Sequence, residues 1–241
     1  NRYIFPASKE VRRGRIFKPR VQRLLEICDR FGVGRDMLVE VGAGFGIFCE
    51  EVKKMERFRR VVAVEPGPDL AAHCREIGLE VLEQPIEKVP IGIFEPDVIA
   101  SFEVIEHLFD PRAFIGQCRR VMKPGALLVL TCPNFMGFDI VHLREKSDSI
   151  DTEHINLFNP DSLTRLVASC GFDVLDVTTP GELDAELLRK KILAGEYDLT
   201  GEPFLRTVLI DRWSDLGAPF QEFLKAHRLS SHLWLVGRKQ G

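Results

Sequence analysis

Three glycines on alternate positions, Gly42, Gly44 and Gly46, follow an apolar run that ends at Val41. A strand that turns into a helix through such residues exposes backbone that a ligand can approach closely. Two acids bracket the turn: Glu40 stands just before the glycines, and Glu65 comes 19 residues after Gly46. Two histidines fall between apolar segments, His107 in "EVIEHLFDP" and His154 in "DTEHINLFNP". Imidazole can take a proton near neutral pH, which a hydroxyl acceptor requires of a catalytic base. His107 also fits a helix-start or packing role, and His154 a loop position capping the next helix. Glu106 and Glu153 read as solvated or orienting neighbours. His142 is a weaker candidate, and His73, His227 and His232 read as ordinary helix and strand residues.

The ligand chemistry can be narrowed. An acid closing the second strand accepts hydrogen bonds from the two hydroxyls of a ribose, so an adenosine-like half is expected at Glu65. A dinucleotide fingerprint needs glycine at 47, where Ile47 stands. Glu40 would also repel a pyrophosphate. A phosphate-free ligand with a cationic end suits that acid better, and S-adenosylmethionine (SAM) has this chemistry.

The elements that must hold these residues alternate. "MLVEV" (37–41), "RVVAVE" (60–65), "EVLE" (80–83), "DVIASF" (97–102), "ALLVLTC" (126–132) and "DVLDVTT" (173–179) read as strands. Helices are expected over 46–57, with Phe48, Val52 and Met55 on the buried stripe, over 68–78, and after the cap pairs Asp110-Pro111 and Asn159-Pro160. Near-continuous apolar strands between helices imply a parallel sheet covered on both faces. "HLWLVGRK" (232–239) alternates as one more strand, and about 50 residues of helical pattern precede it.

"VEVGAGFGIF", "VVAVEP", "EQPIEKVP", "FEVIEHLFDP" and "KPGALLVLTCPN" together resemble the successive motifs of class I SAM-dependent methyltransferases. They come in that family's order and spacing. The flavour is that of ubiquinone-type O-methyltransferases and surface-sugar methyltransferases. The resemblance covers residues 36–179 plus the last strand. It implies an α/β, Rossmann-like seven-stranded sheet of order 3-2-1-4-5-7-6, with strand 7 antiparallel and formed by "HLWLVGRK". Carried over, it implies that Glu40, Gly42, Ala43, Gly44 and Gly46 surround the methionine half of SAM. Glu65 would hold the ribose, with Pro66 beside the adenine. Gln84, Pro85 and Ile86 would pack the adenine ring, and Phe102 and Glu103 would approach the ammonium and sulfonium. Many relatives carry an aspartate near Gln84, which leaves open the atom that contacts the adenine amine.

Three parts are expected: a basic segment and helix over 1–35, a SAM-binding domain over 36–179 plus 230–241, and a helical insertion over 180–229. Phe135, Phe138, Phe204, Trp213, Phe220 and Phe223 make the two long connections aromatic. They read as a lid that chooses the acceptor, with core extension or a homodimer contact as the alternative. The acceptor is expected to be a small molecule, with a sugar or phenolic hydroxyl in view.

The composition of the 241 residues, 45% hydrophobic and 29% charged, is that of a globular protein. Apolar runs such as "ALLVL" fall far short of the roughly 18 residues of a membrane span. Without an apolar leader, and with six cysteines that form no C-x-x-C pair, a reduced, cytoplasmic protein without a metal site is expected. Without an initiator Met the chain reads as a fragment, with room for an upstream domain. Residues 1–23 carry eight Lys/Arg and one Glu, a local +7 within a total of −3 that leaves −10 elsewhere. That acidic balance argues against a nucleic-acid substrate, and the basic segment is expected to be chiefly solvated. Two other functions compete with methyl transfer. A non-catalytic SAM-fold binding module would use the basic N-terminus. A NAD(P)-dependent oxidoreductase would need the missing glycine and a Tyr-x-x-x-Lys pair, which the sequence lacks.

Overall fold

The computed structural model describes residues 10–147, 149–150 and 152–241. The first nine residues of the basic segment, Asp148 and Asp151 lie outside the described residues. Seven strands form one sheet: β1 (Met37–Val41), β2 (Arg60–Val64), β3 (Glu80–Leu82), β4 (Val98–Phe102), β5 (Leu127–Pro133), β6 (Phe172–Thr178) and β7 (His232–Lys239). Their order is 3-2-1-4-5-7-6. The first five are parallel, and β7 runs antiparallel between β5 and β6. "HLWLVGRK" therefore forms the seventh strand, as the resemblance implies.

The apolar strand sequences are explained by two layers. Met37, Val39 and Val41 face one core with Leu128, Leu130 and Cys132. Leu38 faces the other with Leu127 and Val129. Helices α1 (Lys18–Phe31), α2 (Ile47–Lys54) and α3 (Pro68–Glu76) cover the second layer through residues such as Leu24, Phe48 and Cys74. Helices α4 (Pro111–Val121) and, beyond α5 (Phe138–Leu143), α6 (Pro160–Ser169) cover the first through Phe114 and Leu163. Both expected caps form. The Asp110 carboxylate accepts from the Ala113 N–H at 2.9 Å. Asn159 and Ser162 make a reciprocal capping box, both bonds 2.9 Å long. The six cysteines are free thiols, five of them buried.

Two expectations need correction. The helix expected over 46–57 stops at Lys54 and leaves Met55 exposed. The chain turns at Glu56, whose φ of +50° is incompatible with a continuing helix. The basic segment is also less solvated than expected. Arg13 is buried and ion-paired with Glu50 at 2.8 Å and with Glu51, which ties a π-helical turn (Arg13–Phe17) to α2.

Between β6 and β7 the chain builds α7 (Asp184–Leu193), α8 (Pro203–Arg206), a π-helical turn and α9 (Trp213–Ala226). Leu188, Leu205, Val208 and Leu209 form a separate small core with Leu143 of α5. Phe138 meets Phe220 edge-on at 5.1 Å, and Phe220 stacks on Phe223 at 6.4 Å. A buried polar knot fastens this unit to the sheet. Asp184 accepts from the Ser230 hydroxyl and from the Gln221 amide, both at 2.6 Å, and from the Ser231 N–H.

Candidate active site

The parallel strands place their carboxyl ends along one edge, where β7, running the other way, begins. At the tip of β1 the glycine loop is shaped by two requirements. Gly42 has φ +78°, and a Cβ there would lie 2.4 Å from Val104 Cγ2. Gly44 has φ +56°, and a Cβ there would meet nothing within 4 Å. Gly42 is thus fixed by packing, whereas Gly44 borders open space that a ligand can use. Glu65, at the tip of β2, spans the loop. One carboxylate oxygen accepts from the Gly44 N–H at 2.7 Å and the other from the Gly67 N–H at 2.8 Å. Each oxygen keeps a second lone pair for a ligand hydroxyl.

Glu40 is buried within β1, where its carboxylate accepts from the Cys49 thiol at 3.1 Å. Burial pushes its pKa up to about 8, against the opposing effects of the Cys49 bond and the nearby Arg20. Pro66 is exposed beside Glu65, and Gln84 and Pro85 are half-buried after β3. The Ile86 side chain instead lies fully inside the first core layer. The side chain packs there, so contact with an adenine ring would fall to its backbone. Phe102 is also packed, against Phe48 at 4.7 Å and Trp234 at 5.7 Å, with the Arg20 guanidinium 4.4 Å above its ring. Glu103, at the tip of β4, has φ +54°. Its carboxylate accepts from Thr131 at 2.5 Å and lies 3.8 Å from Arg20 and 3.5 Å from His232 Nδ1.

Beside Glu103 opens a cavity of about 540 Å³. Its walls are Arg15, Arg20 and Arg23 from the N-terminal helical segment, Asp139 from α5, and Leu183, Asp184 and Leu187 from the start of the helical insertion, called the cap below. His232 and Trp234 of β7 complete it. Burial lowers the pKa of His232, against the attraction of Glu103. Burial and the neighbouring Asp184 push Asp139 up to about 6, opposed by its Ser231 hydrogen bond.

The two candidate histidines come together, their ring centroids 4.7 Å apart. His107 lies in a one-turn 3₁₀ helix after β4, and its Nδ1 is 2.9 Å from the Glu153 carbonyl. His154 Nδ1 is 2.8 Å from the carbonyl of Ser149, which also lines the cavity. The next helix is capped by Asn159 and not by His154. Phe135 packs edge-on to His154 at 6.4 Å rather than joining the cap cluster. His142 bonds the Tyr197 hydroxyl at 2.9 Å and so joins α5 to the helical insertion.

Sequence reasoning missed Arg20, Arg23, His232, Asp139 and Asp184. One signal for His232 was available: an antiparallel strand 7 necessarily begins at the ligand edge. For Arg20 and Arg23 the signal was weaker, two cations three apart beside the apolar stripe Val21, Leu24, Leu25 and Cys28.

Comparison with known proteins agrees with this geometry. A model of the methyltransferase domain matches residues 9–177. A probable S-adenosylmethionine-dependent methyltransferase of Mycobacterium tuberculosis is 31% identical over 170 residues, 70% of this chain and 57% of that protein. A ubiquinone biosynthesis O-methyltransferase of Maricaulis maris is 32% identical over 122 residues, 45% of this chain and 47% of its own. The chain thus spans about half the length of these curated relatives. A SAM-dependent methyltransferase structure from Archaeoglobus fulgidus superposes with a TM-score of 0.64 at 19% identity, covering 98% of this chain and all of that one. The chain belongs to the methyltransferase domain family, with the strand order expected of its class I form.

Proposed function

We propose that this protein transfers the methyl group of SAM to a hydroxyl of a small molecule, sugar or phenol in class, held in the cavity between α1 and the cap. The observation that carries the reading is the position of that cavity: it opens beside Glu103, at the tip of the strand next to the glycine loop. Cofactor and acceptor sites so arranged can meet in line. Methyl transfer is a displacement at carbon that neutralises the sulfonium, so holding both partners in a dry pocket supplies much of the rate, on the order of 7–11 kcal/mol.

In this reading Glu65 takes the ribose hydroxyls, Gly44 yields space to the methionine half, and Pro66, Gln84 and Pro85 border the adenine. Glu40 and Glu103 face the cationic end, and the Arg20 guanidinium matches the ligand's carboxylate. His107 and His154 activate the acceptor hydroxyl. The cap, fastened through Asp184, selects the acceptor. Six free cysteines support a reducing, cytoplasmic setting, and among the described residues no helix is long and apolar enough to cross a membrane.

Labelled SAM offered with sugar nucleotides, phenols and quinone precursors tests the reading. Transfer to one class, with S-adenosylhomocysteine formed in equal amount, is expected. Tight SAM binding by calorimetry without transfer to any hydroxylated acceptor would leave a non-catalytic SAM-binding module instead.

A further inference from the structure

The N-terminal helical segment lines the cavity beside Glu103 with Arg15, Ile16, Pro19, Arg20 and Arg23. Steps of three and four residues put these side chains on one helical face, across the π-helical turn and the start of α1. Leu183, Leu187 and Trp234 give the same cavity apolar walls. Three guanidinium groups thus meet in one cavity of a chain whose formal net charge is −3.

The charge of Arg23 is not neutralised by the protein. Its half-buried guanidinium lies over the Trp234 ring, 5.1 Å from the centroid, and its Nη2 donates to the Thr178 hydroxyl at 2.7 Å. Among the described residues no carboxylate forms an ion pair with it. Asp176 and Glu26 attract it from nearby, but Asp176 is paired with Arg30 at 3.1 Å and Glu26 accepts from Gln22 at 2.9 Å. Burial lowers the pKa of Arg23 against that attraction. The exposed Arg15 likewise has no ion-pair partner among the described residues. Arg20 differs, with Glu103 3.8 Å away.

The carboxylates in the cavity wall do not supply the missing counter-charge. Asp184 is engaged by Ser230, Ser231 and Gln221, and Asp139 by Ser231. Glu182 is paired with Lys225 at 2.7 Å, and Glu103 accepts from Thr131 at 2.5 Å. Burial lowers the pKa of His232, and the charges of Arg20 and Arg23 lower it further, so both are felt at the first residue of β7. A guanidinium drawn partly out of water without a counter-ion is unfavourable, and an anion that enters the cavity relieves it.

We propose that Arg23, assisted by Arg15, forms a subsite for an anionic group of the acceptor, a carboxylate or a phosphate. The word acceptor rests on the methyl-transfer reading, although the binding of the anion does not. Arg20, beside Phe102 and Glu103, stays with the carboxylate of SAM. A guanidinium presents a planar fork of N–H donors that matches two oxygens of either group, and stacking on Trp234 orients the plane of that fork. Leu183, Leu187 and Trp234 take the apolar body of the molecule. The neutral counterpart of such an acceptor leaves Arg23 without a counter-charge, so the subsite selects a hydroxylated acid or phosphate ester over it.

The test uses protein saturated with S-adenosylhomocysteine, which fills the cofactor's own carboxylate position. Calorimetry compares 3,4-dihydroxybenzoate with catechol for a carboxylate, and glucose 6-phosphate with glucose for a phosphate. In one of these pairs the charged member is expected to bind about ten-fold tighter or more, with a preference that shrinks as salt is raised. Arg23→Met keeps an apolar stem over Trp234 and should abolish the preference, Arg23→Lys should retain part of it, and Arg15→Gln should reduce it, all with SAM affinity and circular dichroism unchanged. Should Arg23→Met unfold, Arg23→Lys and the exposed Arg15→Gln decide: a reduced preference supports the subsite, and a full one in both overturns it. Charged and neutral members bound alike in both pairs, or a preference that survives Arg23→Met, also overturns it. If the preference depends on Arg23 but no methyl group passes from SAM to any of the four probes, the anion subsite stands and the methyl-transfer reading loses its support.

Discussion

The buried Glu40 makes SAM binding a proton-linked event. Its pKa is pushed up to about 8 by burial, so at pH 7 roughly nine in ten of the ligand-free molecules hold a proton there. A sulfonium and an ammonium arriving nearby favour the carboxylate, and the proton leaves as SAM binds. Where the free protein is protonated and the complex is not, affinity rises by close to ten-fold per pH unit, levelling near the pKa, or about 50-fold from pH 6 to 8. Above that range the gain ends. Ligand-free stability moves the other way. The unfolded carboxyl ionises near 4.5 while the folded one keeps its proton to about 8, so the folded state binds more protons in that window. Stability therefore falls across it by a little over 1 kcal/mol per pH unit. Calorimetry at pH 6, 7 and 8, in two buffers of different ionisation enthalpy, should show up to one proton released per SAM. Glu40→Gln should abolish the release and flatten the profile, although it weakens binding. An affinity independent of pH between 6 and 8 in wild type, or the same slope in Glu40→Gln, refutes the reasoning.

Three further outcomes are expected. Glu65→Ala orphans the Gly44 and Gly67 N–H groups, which should cost about 2–4 kcal/mol in urea unfolding and raise the SAM dissociation constant by about 100-fold or more. Gly42→Ala places a methyl 2.4 Å from Val104 at a positive φ and should cost about 3 kcal/mol. Gly44→Ala, with open space around it, should cost only about 1 kcal/mol while weakening SAM binding more than its stability loss accounts for; equal stability losses for the two would remove the distinction drawn between these glycines. Asp184→Ala leaves the Ser230 hydroxyl and Ser231 N–H unpaired and Gln221 with the Gly181 carbonyl alone, so the helical insertion should become sensitive to protease and the acceptor KM should rise, with SAM affinity unchanged.

What the sequence revealed, and what it hid, follows from the range over which each interaction acts. Strand and helix patterns depend on neighbours one to four residues away, and the Asp110 and Asn159 caps were readable because a cap spans three residues. The glycine loop and Glu65 were readable because one strand–helix–strand unit positions both. Met55 broke its helical pattern because a turn at Glu56, needed to enter β2, overrode periodicity. Ile86 looked like a ligand contact by its place after β3, but one turn of 3₁₀ helix swings its side chain into the core. The cavity beside Glu103 draws its walls from residues 15–23, 139, 180–187 and 231–234, among others, segments separated by more than 200 positions. No local pattern records such an encounter. Only topology does: strand order puts the first turn of β7 beside the tip of β5, and the connection that precedes β7 must then pass over the same edge. The convergence of His107 and His154 has the same origin. Forty-seven positions separate them, and what joins them is Asn156, a residue with no chemical role whose amide laces one loop to the other. A reader of sequence looking for chemistry passes over such a residue, although its amide is among the bonds that hold the two loops together.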